Sequence, residues 1–285
     1  LTCVAKTLTC IARRLAANYF IHWTNTLRIL TMRNALFFLL LLTLLPTSMP
    51  ALAAEKLSWS LLTTTPRADN HFTQGLVYAK QQLFESTGRY GQSAVIAYDA
   101  TTLTQQKKYT LPADIFGEGL TLLHGKLYQA SWQEQKIFIY NTALQLLQTL
   151  TIQGEGWGLA TDGISLILSN GSNTLQFLDP HTGKTQRTLT IRDQKTSWKN
   201  INELEWVNGY ILANVWLSNT VLLIDSKTGV VAGYYDFSAL SAMIKNKGTE
   251  DVLNGLAWNA STHTLLITGK NWPLWFSATI QLPII

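Results

Sequence analysis

Four residues stand out because they break a repeat. At intervals of roughly forty to fifty residues, a period typical of propeller blades, the chain returns to one short phrase. It reads Gln74-Gly75-Leu76, Glu118-Gly119-Leu120, Trp157-Gly158-Leu159, Leu204-Glu205-Trp206 and Asn254-Gly255-Leu256. Packing explains the small and apolar members. It does not ask for Gln74, Glu118, Trp157 and Asn202 at or near equivalent places. If those places face a common axis, their side chains share one cavity. Glu118 lies between Phe116 and Leu120, a poorly solvated setting that raises a carboxyl's pKa and fits it to shuttle a proton near neutral pH.

Other chemistries lack their signatures. Beyond residue 54 the histidines are His71, His124, His181 and His263, with no pair at zinc-ligand spacing, and there is no cysteine. No phosphate-cradling glycine loop and no G-x-S-x-G elbow occurs. The expectation is of no catalytic metal. Hard oxygen donors on propeller loops leave room for a structural calcium ion.

The elements that must carry these residues are strands. Each phrase opens a short strand, followed by a turn and a second strand, as in Leu76-Val77-Tyr78 before Gln82-Leu83-Phe84-Glu85. A β-branched and aromatic run follows, such as Val95-Ile96-Ala97-Tyr98-Asp99 or Val221-Leu222-Leu223-Ile224-Asp225. Asp179-Pro180-His181-Thr182-Gly183 and Asp225-Ser226-Lys227-Thr228-Gly229 mark turns. A fourth strand completes each unit, so the reading is all-β, a five-bladed propeller of four-stranded blades over residues 55–285. The last blade is short of strands. Leu57-Ser58-Trp59-Ser60-Leu61 is expected to supply the missing one and close the ring, because closure removes exposed edges. The segment 236–250, with Ala239-Leu240-Ser241-Ala242-Met243-Ile244, reads as a short helical insertion.

The start of the chain reads differently. Arg33 precedes the apolar run from Ala35 to Leu45, and Pro46 to Ala54 end it in small residues. That is the pattern of a secretory signal peptide over 32–54, cut after Ala53 or Ala54. Residues 1–31 read as an upstream extension from a misassigned start codon, with Met32 the natural beginning. Cys3 and Cys10 both fall in the discarded part. So do five of the 22 basic side chains and none of the 17 acids, which leaves the remainder balanced. The basic pI of 9.1 therefore gives no argument for nucleic acid or for a membrane surface. The expectation is a periplasmic or secreted monomer.

The segments 72–76, 83–91, 116–120, 154–159, 201–206, 213–216, 253–258 and 268–273, among them Phe116-Gly117-Glu118-Gly119-Leu120 and Thr268-Gly269-Lys270-Asn271-Trp272-Pro273, resemble those of the plant and bacterial glutaminyl-peptide cyclotransferases. The resemblance spans essentially all of 57–285. It implies a five-bladed propeller, unrelated in fold to the zinc-dependent animal enzymes, that converts the N-terminal glutamine of peptides and proteins to pyroglutamate with loss of ammonia. It places the catalytic acid/base on Glu118. It places the pocket on Phe72, Gln74, Phe116, Trp132, Trp157, Asn202, Trp216 and Lys270.

That chemistry suits the residues. The α-amine must reach its own γ-carboxamide carbon, so positioning supplies much of the acceleration. A free α-amine titrates near about 8, which leaves a useful neutral fraction. Aromatic walls hold the curled chain, Glu118 moves the proton, and Asn202, Gln74, indole N–H groups or Lys270 are candidate donors to the oxyanion. Glu85 reads as a structural carboxylate bonding backbone in its own turn. Glu155, Glu203 and Glu205 read as supporting groups or as a calcium-binding set. Two other readings remain open here: a calcium-dependent propeller lactonase or esterase, and a non-catalytic propeller that binds peptides or glycans.

Overall fold

The computed structural model describes residues 54–283 apart from 195 and 246, so the extension and leader expected over 1–54 lie, except for Ala54, outside the described residues. Twenty strands form five antiparallel four-stranded sheets. The first blade is β2 (Thr73–Ala79), β3 (Gln82–Thr87), β4 (Ala94–Asp99) and β5 (Gln105–Thr110). The second is β6 (Gly117–Leu123), β7 (Lys126–Ser131), β8 (Lys136–Asn141) and β9 (Leu146–Thr151). The third is β10 (Leu159–Thr161), β11 (Leu166–Leu168), β12 (Thr174–Leu178) and β13 (Thr185–Thr190). The fourth is β14 (Ile201–Val207), β15 (Tyr210–Val215), β16 (Thr220–Asp225) and β17 (Val231–Asp236). A short helix, α1 (Ser238–Ala242), stands within the expected insertion. The fifth blade takes β18 (Leu253–Asn259), β19 (Thr264–Gly269) and β20 (Leu274–Ile280), and its outer strand is β1 (Trp59–Pro66) from the other end of the domain.

The closing strand starts later and runs further than the sequence suggested. β1 pairs with β20 from Trp59 opposite Ile280 to Pro66 opposite Leu274. Leu57 belongs to the fourth blade instead, donating its N–H to the Tyr234 carbonyl at 2.8 Å. Trp59 fixes the change of partner: its indole donates to the Asp236 carbonyl at 3.0 Å and packs on Phe237.

Burial follows position in the blade. The inner strands β2, β6 and β18 are buried on both faces, because the neighbouring blades wall them in. The outer strands β5, β9 and β13 are polar and exposed, as the sequence Gln105-Gln106-Lys107-Lys108-Tyr109-Thr110 already shows. The hydrophobic core is divided among the blade interfaces, as where Tyr235, Phe237, Trp272 and Phe276 meet between the fourth and fifth blades. The expected Asp turns form, with Asp179 and Asp225 each accepting two backbone N–H bonds ahead of Gly183 and Gly229.

The phrase glycines are imposed by the ring. A Cβ on Gly75 would come within 2.4 Å of the Leu120 nitrogen, one on Gly119 within 2.2 Å of the Leu159 nitrogen, and one on Gly158 within 1.9 Å of the Asn202 carbonyl oxygen. Inner strands this close leave no room for a side chain.

One expectation is corrected here. The fourth phrase is Asn202-Glu203-Leu204, two residues before Leu204-Glu205-Trp206. Leu204 pairs with Ala213 just as Leu120 pairs with Gln129 and Leu256 with Ile267. Glu203 thus stands where the other four blades have glycine.

Candidate active site

A β-bulge opens four of the five inner strands, and it is what releases the site residues. Pairing skips from Thr73 to Gly75, from Gly117 to Leu120, from Ile201 to Leu204 and from Leu253 to Leu256. The unpaired residues at these breaks include Gln74, Glu118, Asn202 and Asn254. A bulge turns a side chain out of the sheet's alternation, and four bulges around one axis turn them together.

Gln74, Glu118 and Asn202 line a cavity of about 480 Å³ with Phe72, Phe116, Trp132, Trp157, Trp216 and Lys270. Every pocket position named from the sequence is on this wall. Arg89, Tyr90 and Glu250 complete it. The sequence reading missed these three, because they come from turns and a loop with no repeat to mark them.

The walls are rings set edge to face. Phe116 meets Phe72, Tyr90 and Trp132 with centroids 6.3, 5.4 and 5.6 Å apart, and Trp157 meets Trp216 at 5.7 Å. Glu155 ties two of them. Its Oε2 accepts the indole N–H of both Trp132 and Trp157 at 3.0 Å. Those two indoles are therefore committed, which removes them from the candidate oxyanion donors. Among the described residues the Trp216 indole makes no such bond.

Glu118 and Lys270 are both almost fully buried, 6% and 5% exposed. Burial pushes the Glu118 carboxyl well above its ordinary range. The Lys270 charge pulls it back in part, while Glu134 and Glu155 push it further up. Burial likewise lowers Lys270, against the pull of Glu118 and Glu250. The Lys270 ammonium lies over Phe72 at 4.8 Å and near Trp216 at 5.9 Å, where ring faces offset lost hydration.

Asn254 decides what the amides offer. The Glu203 N–H donates to Asn214 Oδ1 at 2.7 Å, so Asn214 must turn its Nδ2 outward, to the Leu253 carbonyl and Asn254 Oδ1. Asn254 Nδ2 then donates to the Thr73 carbonyl at 2.8 Å and to Gln74 Oε1 at 3.1 Å. Asn202 Nδ2 donates to Asn254 Oδ1 at 2.9 Å. Backbone groups pin both ends of this relay, so every amide orientation in it is determined. Among the described residues nothing accepts from the Gln74 NH₂, which stays a donor. Asn202 keeps a buried carbonyl oxygen with no partner. Asn202, expected as a donor, uses one of its two Nδ2 hydrogens on Asn254 and also presents a carbonyl acceptor. Asn254 was legible in the fifth phrase, but nothing in sequence distinguished its role.

Among the remaining carboxylates, Glu85 does different work from that expected. Glu85 does not bond its turn. It is fully buried and accepts both oxygens' worth of Arg67 Nη2 at 2.9 and 3.0 Å, Thr73 Oγ1 at 2.6 Å and Tyr98 OH at 2.7 Å. Burial pushes its pKa up, but Arg67, His71 and Thr73 outweigh that and hold it at about 2. Thr73 stands between Phe72 and Gln74, so this network anchors the strand that presents both. Glu205 accepts the Trp258 N–H at 3.2 Å. Glu203 lies on the axis facing the Leu76 and Leu256 backbone, with its oxygens short of any hydrogen bond. Glu155, Glu203 and Glu205 thus do not form one set, and among the described residues no three His, Cys, Asp or Glu converge as metal ligands.

Residues 35–280 match the family described as glutamine cyclotransferase. The chain is 39% identical over 215 residues to the glutaminyl-peptide cyclotransferase of Arabidopsis thaliana, an alignment covering 73% of this chain and 67% of that protein. It is also similar to the crystal structure of Myxococcus xanthus glutaminyl cyclase, with a TM-score of 0.75 and 32% identity over 81% of this chain and 100% of that one. With a five-bladed ring, a buried carboxyl among aromatic walls and a match over most of its length, the chain belongs to the glutamine cyclotransferase family.

Proposed function

We propose that this protein cyclises the N-terminal glutamine of peptides and proteins, releasing ammonia, with Glu118 as the proton carrier. The observation that carries the reading is the buried Glu118 carboxyl, raised in pKa, in a ring-walled cavity that also offers one free amide donor and one free carbonyl acceptor. The substrate's α-amine nitrogen attacks its own γ-carboxamide carbon. A C–N bond forms and the carbonyl oxygen takes up negative charge. The Asn202 carbonyl accepts an amine N–H and aims the lone pair. Ionised Glu118 takes the proton that the attacking nitrogen sheds and returns it to the carboxamide nitrogen, which leaves as ammonia. Gln74 Nε2 and the Lys270 ammonium donate to the oxyanion. The rings of Phe116, Trp157 and Trp216 keep the side chain curled over the backbone and exclude water.

In this reading the chemistry needs no metal, and the protein acts as an exported monomer after loss of the leader over 32–54. N-terminal sequencing of the cell-made protein tests the export, with a mature terminus near Ala54 as the expected result. The activity itself is tested by ammonia release from Gln-Ala-amide, with Glu-Ala-amide as control. Turnover of the first alone, unchanged in excess EDTA, is the expected result. No ammonia from the Gln peptide, or full loss on chelation with recovery on added calcium, overturns it, the latter in favour of a calcium-dependent propeller hydrolase.

A further inference from the structure

A second cavity of about 360 Å³ adjoins the first. Phe72 and Arg89 line both, and the Arg89 guanidinium lies 4.5 Å above the Phe72 ring. The partition between the cavities is therefore one stacked pair.

The two chambers differ in chemistry. The first holds the aromatic walls, the buried carboxyl and Glu250. The second has no acid in its lining. It is lined by Arg89, Lys108, His71 and the amides of Asn70, Gln92 and Asn271. Lys108 projects from the exposed outer strand β5, and among the described residues its ammonium has neither ion pair nor hydrogen bond. Arg89 is held at φ +83, in the left-handed region that a non-glycine residue seldom adopts. Its carbonyl accepts three bonds, from the Gln92 and Ser93 N–H groups and the Ser93 hydroxyl, and these fix that turn. The guanidinium's counter-charge, Glu250 at 3.7 Å, belongs to the first chamber.

We propose that the second cavity receives the residues that follow the terminal glutamine, and that it selects substrates bearing a carboxylate there. This rests on the cyclase reading. The carboxylate comes either from an acidic side chain at the third position or from the C-terminus of a short peptide. Arg89 and Lys108 are its counter-charges, and the amides of Asn70 and Gln92 satisfy the peptide backbone, since Asn271 Nδ2 already donates to Asp251 at 2.6 Å. The contribution is to binding, so it appears in KM and leaves kcat unchanged.

The test compares Gln-Ala-Glu-amide, Gln-Ala-Gln-amide and Gln-Ala-Lys-amide, and Gln-Ala-Ala as free acid and as amide. Each is run on the unaltered protein, on Lys108→Gln and on Lys108→Glu. The unaltered protein is expected to favour the Glu peptide over the neutral one by about two- to five-fold in KM, the size of an exposed ion pair. Lys108→Gln removes much of that preference, Lys108→Glu reverses it toward the Lys peptide, and about 0.5 M salt weakens both effects. A gain for the free acid without one for the Glu side chain identifies the terminal carboxylate as the ligand. Glutamine amide, which has no downstream residue, is turned over equally by all three proteins. Identical relative KM values across the peptides in all three proteins overturn the proposal while leaving the cyclase reading intact. Absence of ammonia from every Gln substrate removes both.

Discussion

Asn202 donates its amide to Asn254 at 2.9 Å, and that one bond leaves the Asn202 carbonyl oxygen buried and unpartnered at the cavity wall. An unmet buried acceptor costs about 1–3 kcal/mol. In the proposed mechanism the incoming α-amine removes the deficit, with Asn202 set to receive a donor before substrate arrives. Asn254 fixes Gln74 in the opposite sense, as a donor.

The relay yields a specific expectation for Asn254→Asp. The new carboxylate still accepts from Asn202 and Asn214, but it repels Gln74 Oε1 and draws in Gln74 Nε2 instead. The cavity loses a donor, and kcat falls about a hundred-fold, the size of one oxyanion contact. Adding Gln74→Met to Asn254→Asp then costs little more, whereas Gln74→Met alone costs about the same hundred-fold. Additive losses in this double-mutant cycle would disprove the coupling.

Replacing Glu118 by Gln keeps the shape and removes the proton carrier. Ammonia release falls by about two powers of ten or more, with KM within a few-fold. Retention of a tenth of the original kcat would show that the carboxyl is a bystander.

Lys270 opposes the burial that raises Glu118. Glu118 must be ionised to accept the amine proton, so activity rises as pH climbs through its elevated pKa. Lys270→Met removes the opposing charge, raises that pKa further and moves the acid limb of the kcat/KM profile to higher pH. A limb that stays in place or moves down contradicts the pairing.

Arg67→Met leaves the Glu85 carboxylate buried without its counter-charge, a loss of about 3–5 kcal/mol in denaturant unfolding. The sign with pH follows from a folded value of about 2 against an ordinary 4.5. Glu85 stabilises the fold above pH 4.5, and that contribution disappears as pH falls toward about 2. Glu85→Gln therefore flattens the acid slope of stability in that window. An unchanged slope would assign the acid sensitivity elsewhere.

Glu203 gives the opposite sign. Burial, aided by Glu205, pushes its carboxyl well above the ordinary value, against the Leu256 and Leu76 backbone groups. Between about 4.5 and its raised folded value the carboxyl ionises in the unfolded chain before it does in the fold, so stability declines as pH rises through that window. Glu203→Gln is expected to raise Tm at pH 8 and change it little at pH 4. A lower Tm at pH 8 would mean that the charge itself is held by the axis.

The sequence determined the five-fold repeat, because all five inner strands keep the leucine and four of them need the same glycine to pass a neighbour. It also carried Glu118 and Trp157, since these depart from a pattern that packing otherwise dictates, while Phe72, Phe116, Trp132 and Trp216 came from the family resemblance. The fourth phrase was misplaced by two residues because Glu203 occupies a glycine position there, and only strand pairing fixes the register. What tertiary structure alone decided is direction and charge. Glu155 commits two indoles from a neighbouring loop, and Arg67 reaches Glu85 across 18 residues. Asn254 orients the Asn202 amide from 52 residues away. Hydrogen-bond polarity is set by whichever group stands opposite, and in a closed ring that group comes from another blade.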